Sequence, residues 1–349
     1  MSSALMGTSS LSSVGHVSST APIKRQQRVR ALRSPAAVCV ASAAGSVVIA
    51  GSTTSTGRLV AGLAVKAFGG ENVTLIVNKD AQASYWPEDM PTEIAEQRMY
   101  APEAELVKAT LVDPRDAGDA LATAEVLIFC AEWGASQLEL AEALLPRASA
   151  NLKRAVMLSR VGINRRDKVP FVEQNKPPKK MQELALGLKL PVGGDSGQPG
   201  SLDGFAAAEQ ALASAAAGQS WSAHVVRSGE LRGNGPLLMA DLSARLVDNL
   251  YDVKYQDLYF RTGDEGQGYT KRLNLAATLL RVATAEAAPP ADVAALSVVC
   301  EMLDPFGLLG EKTLTDPTEK PRRMGYDMAK GKTPAPIEDK LIDELIAAL

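Results

Sequence analysis

Short apolar runs rich in β-branched residues alternate with longer amphipathic segments along most of this chain. Six such runs lie at residues 47–50, 73–77, 105–112, 126–131, 155–158 and 223–226. Helical periodicity predicts helices between them at 58–68, 116–123, 138–145 and 205–217. Because parallel strands need crossover connections of this length, the alternation predicts an α/β fold. We expect a doubly wound parallel Rossmann-like sheet with helices on both faces.

The pattern is less regular towards the C-terminus. Helices are predicted at 238–250 and 271–287, and residues 296–300 form a candidate seventh strand. A final helical stripe, from Ile337 to Leu349, is expected to pack on the body. We therefore predict a Rossmann-like domain over 41–235, with a loop-rich insertion at 163–204, and a small C-terminal helical or substrate lobe over 236–349 packed on the same domain.

The first 40 residues have a different composition from the rest. They contain nine Ser and five Lys or Arg, and the first acidic residue of the chain is Glu71. A Ser-rich and Arg-rich segment without acidic residues is typical of an organelle transit peptide, which is disordered and excluded from the fold. The expected localisation is the chloroplast stroma, with the mitochondrion as the alternative.

The remaining 32 basic and 40 acidic residues predict an acidic surface, which argues against general nucleic-acid binding. Beyond the leader the chain has two cysteines, Cys130 and Cys300, both in apolar runs and expected to be buried thiols, and one histidine, His224. A His/Cys metal site and a Ser-His-Asp triad are thereby excluded, whereas an all-carboxylate site is not. No run of 18 apolar residues predicts a membrane-spanning helix.

The loop after the first apolar run carries most of the candidate chemistry. Laid on the dinucleotide-binding fingerprint, its turn positions are Gly51, Thr54 and Gly57, and Thr54 puts a Cβ where a glycine would let the backbone approach the pyrophosphate. Asn78 and Lys79 follow the second run, where a basic residue accommodates a 2′-phosphate. This favours NADP(H), with NAD(H) or no cofactor as the alternatives, and no metal is implied.

Several landmarks over residues 45–235, taken in order, resemble the atypical short-chain dehydrogenase/reductases of the NAD(P)H-binding, nitrogen-metabolite-repressor-like branch, in a plastid-targeted green-lineage form. They are VVIAGSTTSTG, VNKD, LVD, EVLIFCA, LKRAVMLSRVG, FAAAEQAL with Glu209, and HVVRSGELRG. The resemblance implies an extended Rossmann fold. It also implies a pyrophosphate site at Gly51, Ser52, Thr53, Thr54, Gly57 and Arg58, ribose contacts from Asn78 and Lys79, adenine near Asp113, Ala131 beside the cofactor, and Ser159 in place of the family's active-site Ser or Thr.

The catalytic Tyr-x-x-x-Lys of this family is missing where the resemblance places it. No Tyr lies between Gly162 and Ala217, and the pattern at Tyr326 and Lys330 falls in a Pro/Lys-rich tail, where it is interpreted as chance. Some atypical members use a lone Lys instead, which leaves Lys168, Lys179 and Lys180 as candidates beside Ser159, and the catalytic residues unknown. The basic cluster at 165–168 is either solvated or docks an anionic partner.

We therefore expect an NAD(P)-binding-fold protein of the plastid stroma that is catalytically degenerate. It would act as a cofactor-sensing, scaffold, assembly or regulatory factor of a plastid protein complex, and its oligomeric state is left open. One alternative is an active NADPH-dependent reductase of a small plastid metabolite. The other is a nucleotide-free pseudo-Rossmann scaffold.

Overall fold

The computed structural model describes residues 46–80, 82, 107–176, 180–183, 189–192, 200–232, 258–266, 268–287, 289–297 and 337–349. Several sequence predictions fall elsewhere. The leader at 1–40, the predicted helix at 238–250, and Lys179, Cys300, Tyr326 and Lys330 lie outside the described residues.

The described residues form the following strands: β1 Ser46–Ala50, β2 Val73–Ile76, β3 Thr110–Val112, β4 Ala124–Phe129, β5 Arg154–Arg160, β6 Lys180–Glu183, β7 Lys189–Val192, β8 Ser222–Ser228, β9 Glu230–Arg232, β10 Leu258–Thr262, β11 Tyr269–Lys271 and β12 Asp292–Ser297. The helices of the same ranges are α1 Ser55–Phe68, α2 Gly118–Thr123, α3 Gly134–Leu144, α4 Phe171–Gln174, α5 Ser201–Ala216, α6 Arg272–Thr284 and α7 Asp339–Ala347.

The main sheet has the strand order of a Rossmann fold. Its first seven strands run β3-β2-β1-β4-β5-β8-β12, and every neighbouring pair among them is parallel. β11 and β9 extend this sheet, β10 pairs antiparallel with β12, and β6 and β7 form a separate two-stranded sheet. The order reverses between β1 and β4, as a doubly wound sheet requires. The predicted fold class is therefore confirmed.

Element boundaries differ from the sequence pattern in two places. The third run was expected to be a strand over 105–112, but of its described residues only Thr110–Val112 pair with β2, because residues 107–109 form a turn. The seventh strand begins earlier than expected, at Asp292, where it pairs with β8. The segment after residue 235 was expected to be a helical lobe, and it also contributes β10, β11 and β12 to the sheet.

Two apolar layers enclose the sheet. On one face, residues of β1, β4 and β5 such as Ile49 and Leu158 pack against α1, α6 and α7. On the other face, residues such as Phe129 and Met157 pack against α2, α3 and α5. Strand alternation assigns neighbouring residues of β5 to opposite layers.

The C-terminal stripe packs on the body, as expected. Ile342 of α7 is fully buried in the first layer, and Asp343 binds Arg281 of α6 at 2.6 Å. In the described parts of the chain, no helix has the length and apolar composition needed to cross a membrane.

Candidate functional site at the carboxyl edge of the sheet

Strands β1, β4, β5 and β8 all end at one edge of the sheet, which we call the carboxyl edge. The strand order reverses at this edge between β1 and β4. In open α/β sheets, ligands bind in the crevice at such a switch point, outside the carboxyl ends of the strands. The edge is therefore the place where a cofactor or substrate site is expected.

The glycines at the two ends of the loop from Gly51 to Gly57 are required by contacts inside the protein. Gly51 has a φ of 78°, and a Cβ on it would lie 2.6 Å from the Ala131 nitrogen, at the end of β4. A Cβ on Gly57 would lie 2.2 Å from the Gly51 carbonyl oxygen. No real Cβ approaches backbone so closely, so the fold itself needs both glycines, whether or not a nucleotide binds.

Thr54, the middle turn position, is hydrogen-bonded within the chain. It is the N-cap of α1, and its Oγ1 accepts the Gly57 N–H at 3.0 Å. The same hydroxyl lies 2.8 Å from the Cys130 carbonyl oxygen and 2.9 Å from that of Gly51, both of which accept from it. The observed partners of this hydroxyl are therefore backbone groups of the protein.

Glu132, which the sequence reasoning missed, reaches the first turn of α1. It follows β4, and its Oε1 accepts both the backbone N–H and the hydroxyl of Thr56, each at 2.8 Å. Arg272, the first residue of α6, binds the other side of the carboxylate, with Nε 3.2 Å from Oε1 and Nη2 3.2 Å from Oε2. The two charged side chains are only 14% and 18% exposed. The carboxylate therefore bridges the N-terminus of α1 and the N-terminus of α6.

The surroundings keep Glu132 ionised. Burial alone would raise its pKa, but the charge of Arg272 and the hydrogen bonds from Arg272 and Thr56 outweigh burial, so the pKa is lowered. A second guanidinium, that of Arg160 at the end of β5, lies in the same region. Burial lowers the pKa of Arg160, while Glu132 and Glu230 act in the opposite direction. The carboxyl edge thus carries a cluster of mutually compensating charges.

The other residues predicted to contact the pyrophosphate differ in their exposure and orientation. Ser52 is buried, and its Oγ lies 3.4 Å from the carbonyl oxygen of Ile76 in β2. Thr53 is exposed at the tip of the loop, and Arg58 is half-buried in the first turn of α1. The structure therefore places these residues around the start of α1, and it orients Ser52 into the sheet.

The residues predicted at the adenosine end lie together after β2 and β3. Asn78 and Lys79 are exposed, and the Lys79 Nζ is 2.9 Å from Asp116. Asp113 is buried, and its carboxylate accepts the Lys79 N–H at 2.8 Å and the Arg115 N–H at 2.9 Å. These bonds and the Arg115 side chain hold the pKa of Asp113 well below its usual range. Asp113 thus joins the ends of two strands.

Ala131 and Ser159 lie at the ends of β4 and β5. The Ala131 N–H donates to Gln137 Oε1 at 3.0 Å, and the Gln137 amide also donates to the carbonyls of Phe129 and Leu158. Ser159 is fully buried, and within the described part of the chain its hydroxyl has no hydrogen-bond partner. On β5 it shares a strand face with the buried Met157, and Val161, just after the strand, packs in an apolar cluster with Phe171 and Phe205.

Of the candidate lysines, Lys179 lies outside the described residues, and the other two lie outside the main sheet. Lys168 is exposed in the loop after β5, and Lys180 begins β6 in the separate two-stranded sheet. The two arginines beside Lys168 are bound within the chain. Arg165 donates to the carbonyl of Gly266 at 2.8 Å and stacks over a phenylalanine ring, and Arg166 pairs with Asp203 at 2.7 Å. These two arginines therefore hold the loop to the body.

Two landmarks of the family resemblance form a buried ion pair. Arg227 of β8 binds both carboxylate oxygens of Glu209 on α5, at 2.6 and 3.0 Å, and also binds Asp292 of β12 at 2.9 Å. The side chains of Arg227 and Glu209 are 8% and 13% exposed. They fix α5 against the sheet. Cys130 is also buried as expected, and burial raises the pKa of its thiol.

The carboxyl edge, as it is arranged, does not fit the pyrophosphate of a dinucleotide. Two backbone N–H groups in the first turn of α1 already donate to side chains of the protein, that of Gly57 to Thr54 and that of Thr56 to Glu132. Glu132 also places a negative charge there. Among the described residues, no group of three or more His, Cys, Asp or Glu side chains is placed to hold a metal ion.

No protein-family model and no curated protein matches the sequence. Solved structures with a similar arrangement include a short-chain dehydrogenase/reductase from Veillonella parvula in complex with NADP (14% identity, 72% of this chain, 94% of that chain, TM-score 0.43). Another is the reductase ChuY from Escherichia coli O157:H7 (14% identity, 72% of this chain, 96% of that chain, TM-score 0.42). A third is Gre2 from Candida albicans (14% identity, 87% of this chain, 93% of that chain, TM-score 0.45). At this level of similarity they carry no conclusion on function, and the Rossmann-like assignment follows from the strand order.

Proposed function

We propose that this protein is a catalytically degenerate Rossmann-fold protein that acts as a scaffold or assembly factor and not as a reductase. The observation that carries the proposal is the environment of Ser159. Its hydroxyl is buried near the end of β5, on the strand face that also carries the buried Met157, and has no hydrogen-bond partner among the described residues.

Carbonyl reduction needs an acid within hydrogen-bond reach of the substrate oxygen, because the alkoxide formed by hydride addition must gain a proton. In the short-chain dehydrogenase/reductases that the sequence resembles, a Tyr assisted by a Lys supplies that proton. The helix after β5 that packs on this strand is α5, with the sequence SLDGFAAAEQALASAA, and it contains neither residue type. Its side chains Leu202 and Phe205 are buried instead in the apolar cluster beside the strand end.

The polar groups of the carboxyl edge support the same proposal. Glu132 forms an ion pair with Arg272, and Glu209 forms one with Arg227. The side-chain amide of Gln137 is hydrogen-bonded to three backbone groups. Each of these side chains joins two or more elements of the fold. They hold the sheet and helices together and are not poised to transfer a proton.

The role we propose is in a protein complex of the plastid stroma. It rests on the Ser-rich and Arg-rich leader, on the acidic composition of the rest of the chain and on the lack of a Tyr and a Lys in α5. The Rossmann-like sheet favours one competing function, an active NADPH-dependent reductase of a small metabolite. A cofactor-sensing role would require nucleotide binding without turnover.

The proposal is tested by following NADPH and NADH absorbance with the purified chain over a panel of aldehydes, ketones and enones. We expect no oxidation above the protein-free rate. A Ser159→Ala variant serves as the matched control, because it removes the one candidate hydroxyl without changing the fold's polar pairs. Turnover by the wild type that is lost in Ser159→Ala would contradict the proposal.

The scaffold role is tested separately by native size fractionation of stromal extract. We expect the chain to migrate with protein partners at a mass above that of the purified chain. Migration at the mass of the purified chain alone would contradict a scaffold role, even if turnover were absent.

A further inference from the structure

The N-terminus of α1 at the strand-order reversal is the position at which Rossmann proteins bind the pyrophosphate of a dinucleotide. Anions are favoured there because the first backbone N–H groups of the helix lack intrahelical acceptors and the helix dipole is positive at this end. In this protein an anion is already present at that position. It is the carboxylate of Glu132, whose Oε1 accepts the Thr56 N–H at 2.8 Å.

The rest of the arrangement is that of a built anion site. The Thr56 hydroxyl donates to the same oxygen at 2.8 Å, and Arg272 supplies the countercharge through Nε and Nη2. Arginine and helix N-terminal amides are the groups that proteins use to bind phosphate. Glu132 lies 140 positions before Arg272 in the chain, so the tertiary fold has to assemble the pair.

The glycine pattern agrees with this arrangement. Gly51 and Gly57, which the fold needs for its own backbone contacts, are present. The middle position, whose glycine serves close approach to the nucleotide, is Thr54, which caps the helix. The two fingerprint positions that are still glycine, Gly51 and Gly57, are therefore the two at which backbone packing inside the protein requires glycine.

We propose that Glu132 and Arg272 form an internal lock that takes the place of a dinucleotide pyrophosphate and excludes nucleotides from this fold. The proposal deepens the proposed function, on which it rests, by making the scaffold nucleotide-free. It also predicts that removal of Glu132 creates a binding site. In its absence, Arg272 and the backbone amides at the start of α1 form a site for pyrophosphate and for pyridine dinucleotides.

Binding is measured by calorimetry and by the shift in melting temperature, with inorganic pyrophosphate and NADPH as probes. The wild type, Glu132→Ala and Glu132→Gln are compared. Glu209→Ala is the matched control, because it also breaks a buried carboxylate–arginine pair of the same sheet, but away from the α1 N-terminus. A Thr54→Gly variant separates the effect of the missing glycine from that of the lock.

We expect no wild-type binding at about 1 mM of either probe, and binding at least about tenfold tighter in Glu132→Ala, since a like charge no longer opposes the phosphates. Glu132→Gln is expected to bind pyrophosphate more weakly than Glu132→Ala, because its amide still occupies the position. Thr54→Gly and Glu209→Ala are expected to bind as poorly as the wild type.

Dinucleotide binding by the wild type would overturn the lock, and so would folded Glu132 variants that gain no binding. If Glu132→Ala does not fold, the Glu132→Gln result decides, with circular dichroism as the check of folding. These outcomes are distinguishable from failure of the proposed function. Wild-type binding without turnover refutes only the lock, whereas turnover refutes the non-catalytic role.

Discussion

The carboxylate of Glu132 and the guanidinium of Arg272 meet at 3.2 Å across 140 positions of sequence, directly above the first turn of α1. Their pairing joins the first turn of α1 to the first residue of α6. Because the pair also satisfies the backbone N–H of Thr56, it stabilises the helix start that a nucleotide stabilises in other Rossmann proteins. The same contacts that hold this edge together therefore also close it.

The N-cap of α1 is predicted to contribute to stability. A Thr54→Ala variant loses the acceptor for the Gly57 N–H and the hydroxyl that reaches the Cys130 carbonyl. We expect the free energy of unfolding to fall by about 1 kcal/mol or somewhat more. Urea denaturation measures the loss, and Thr53→Ala at the exposed neighbouring position is the control, with no comparable change expected. Equal effects of the two variants would refute the capping role.

The Arg227–Glu209 pair is predicted to be structural. Removing the carboxylate in Glu209→Ala leaves the buried Arg227 guanidinium with one remaining partner, Asp292. Breaking a buried pair in this way costs about 3–5 kcal/mol. The control is Glu125→Ala, which breaks a surface pair with Lys153 and is expected to cost at most about 1 kcal/mol. A Glu209→Ala loss as small as the control's would show that the pair is dispensable.

Asp113 is predicted to stabilise the ends of β2 and β3 only when ionised. In Asp113→Asn, one acceptor oxygen becomes an amide nitrogen facing the donors of Lys79 and Arg115, so we expect the free energy of unfolding to decrease near neutral pH. The folded-state pKa of Asp113 lies below its unfolded value. Its contribution is therefore present above about pH 4 and is lost as the pH falls below that value.

The free energy of unfolding of the wild type and of Asp113→Asn is measured by urea denaturation at pH values from about 7 to below about 4. The difference in the free energy of unfolding is expected to shrink as the pH decreases. Asp116→Asn, at an exposed pair with Lys79, is the control and is expected to change stability little. A difference that grows at low pH would contradict the assigned role.

His224 is predicted to make stability depend on pH near neutrality. It is buried, its Nδ1 lies 3.1 Å from the Pro290 carbonyl, and burial lowers its pKa below the usual value of 6.5. The folded state therefore favours the neutral ring. Stability is full above about pH 6.5 and decreases as the pH falls towards the folded-state pKa. In His224→Gln, the free energy of unfolding is expected to change less between about pH 5 and 7 than in the wild type. An unchanged slope would show that another group titrates.

Much of the fold is predictable from the sequence because it depends on local patterns. The β-branched runs of β1, β2, β4, β5 and β8 and the helices between them follow from periodicity, and their alternation implies a parallel sheet. The third strand was predicted too long because Val107 and Ala109 alternate with Lys108 as in a strand, whereas residues 107–109 form a turn before β3. The strands after residue 257 were less evident; β11, for example, has only three residues and one of them is charged.

The candidate site was predictable only in part. The loop from Gly51 to Gly57 and Asp113 carried clear signals, since turn residues and an acidic strand end can be recognised in a sequence. Glu132 also left a signal, an acidic residue three positions after the end of β4, the strand beside the glycine loop. Arg272 left none, because nothing local distinguishes it from any other arginine at the start of a helix. The difference between a nucleotide site and a closed one lies in that long-range pair.

Whether Glu132 occupies the pyrophosphate position can be seen in a crystal structure of the chain grown or soaked with NADPH at about millimolar concentration. We expect electron density for the Glu132 carboxylate on the Thr56 N–H and on Arg272, with no dinucleotide at the carboxyl edge. Density for a pyrophosphate at the Thr56 N–H, with Glu132 displaced, would contradict this expectation.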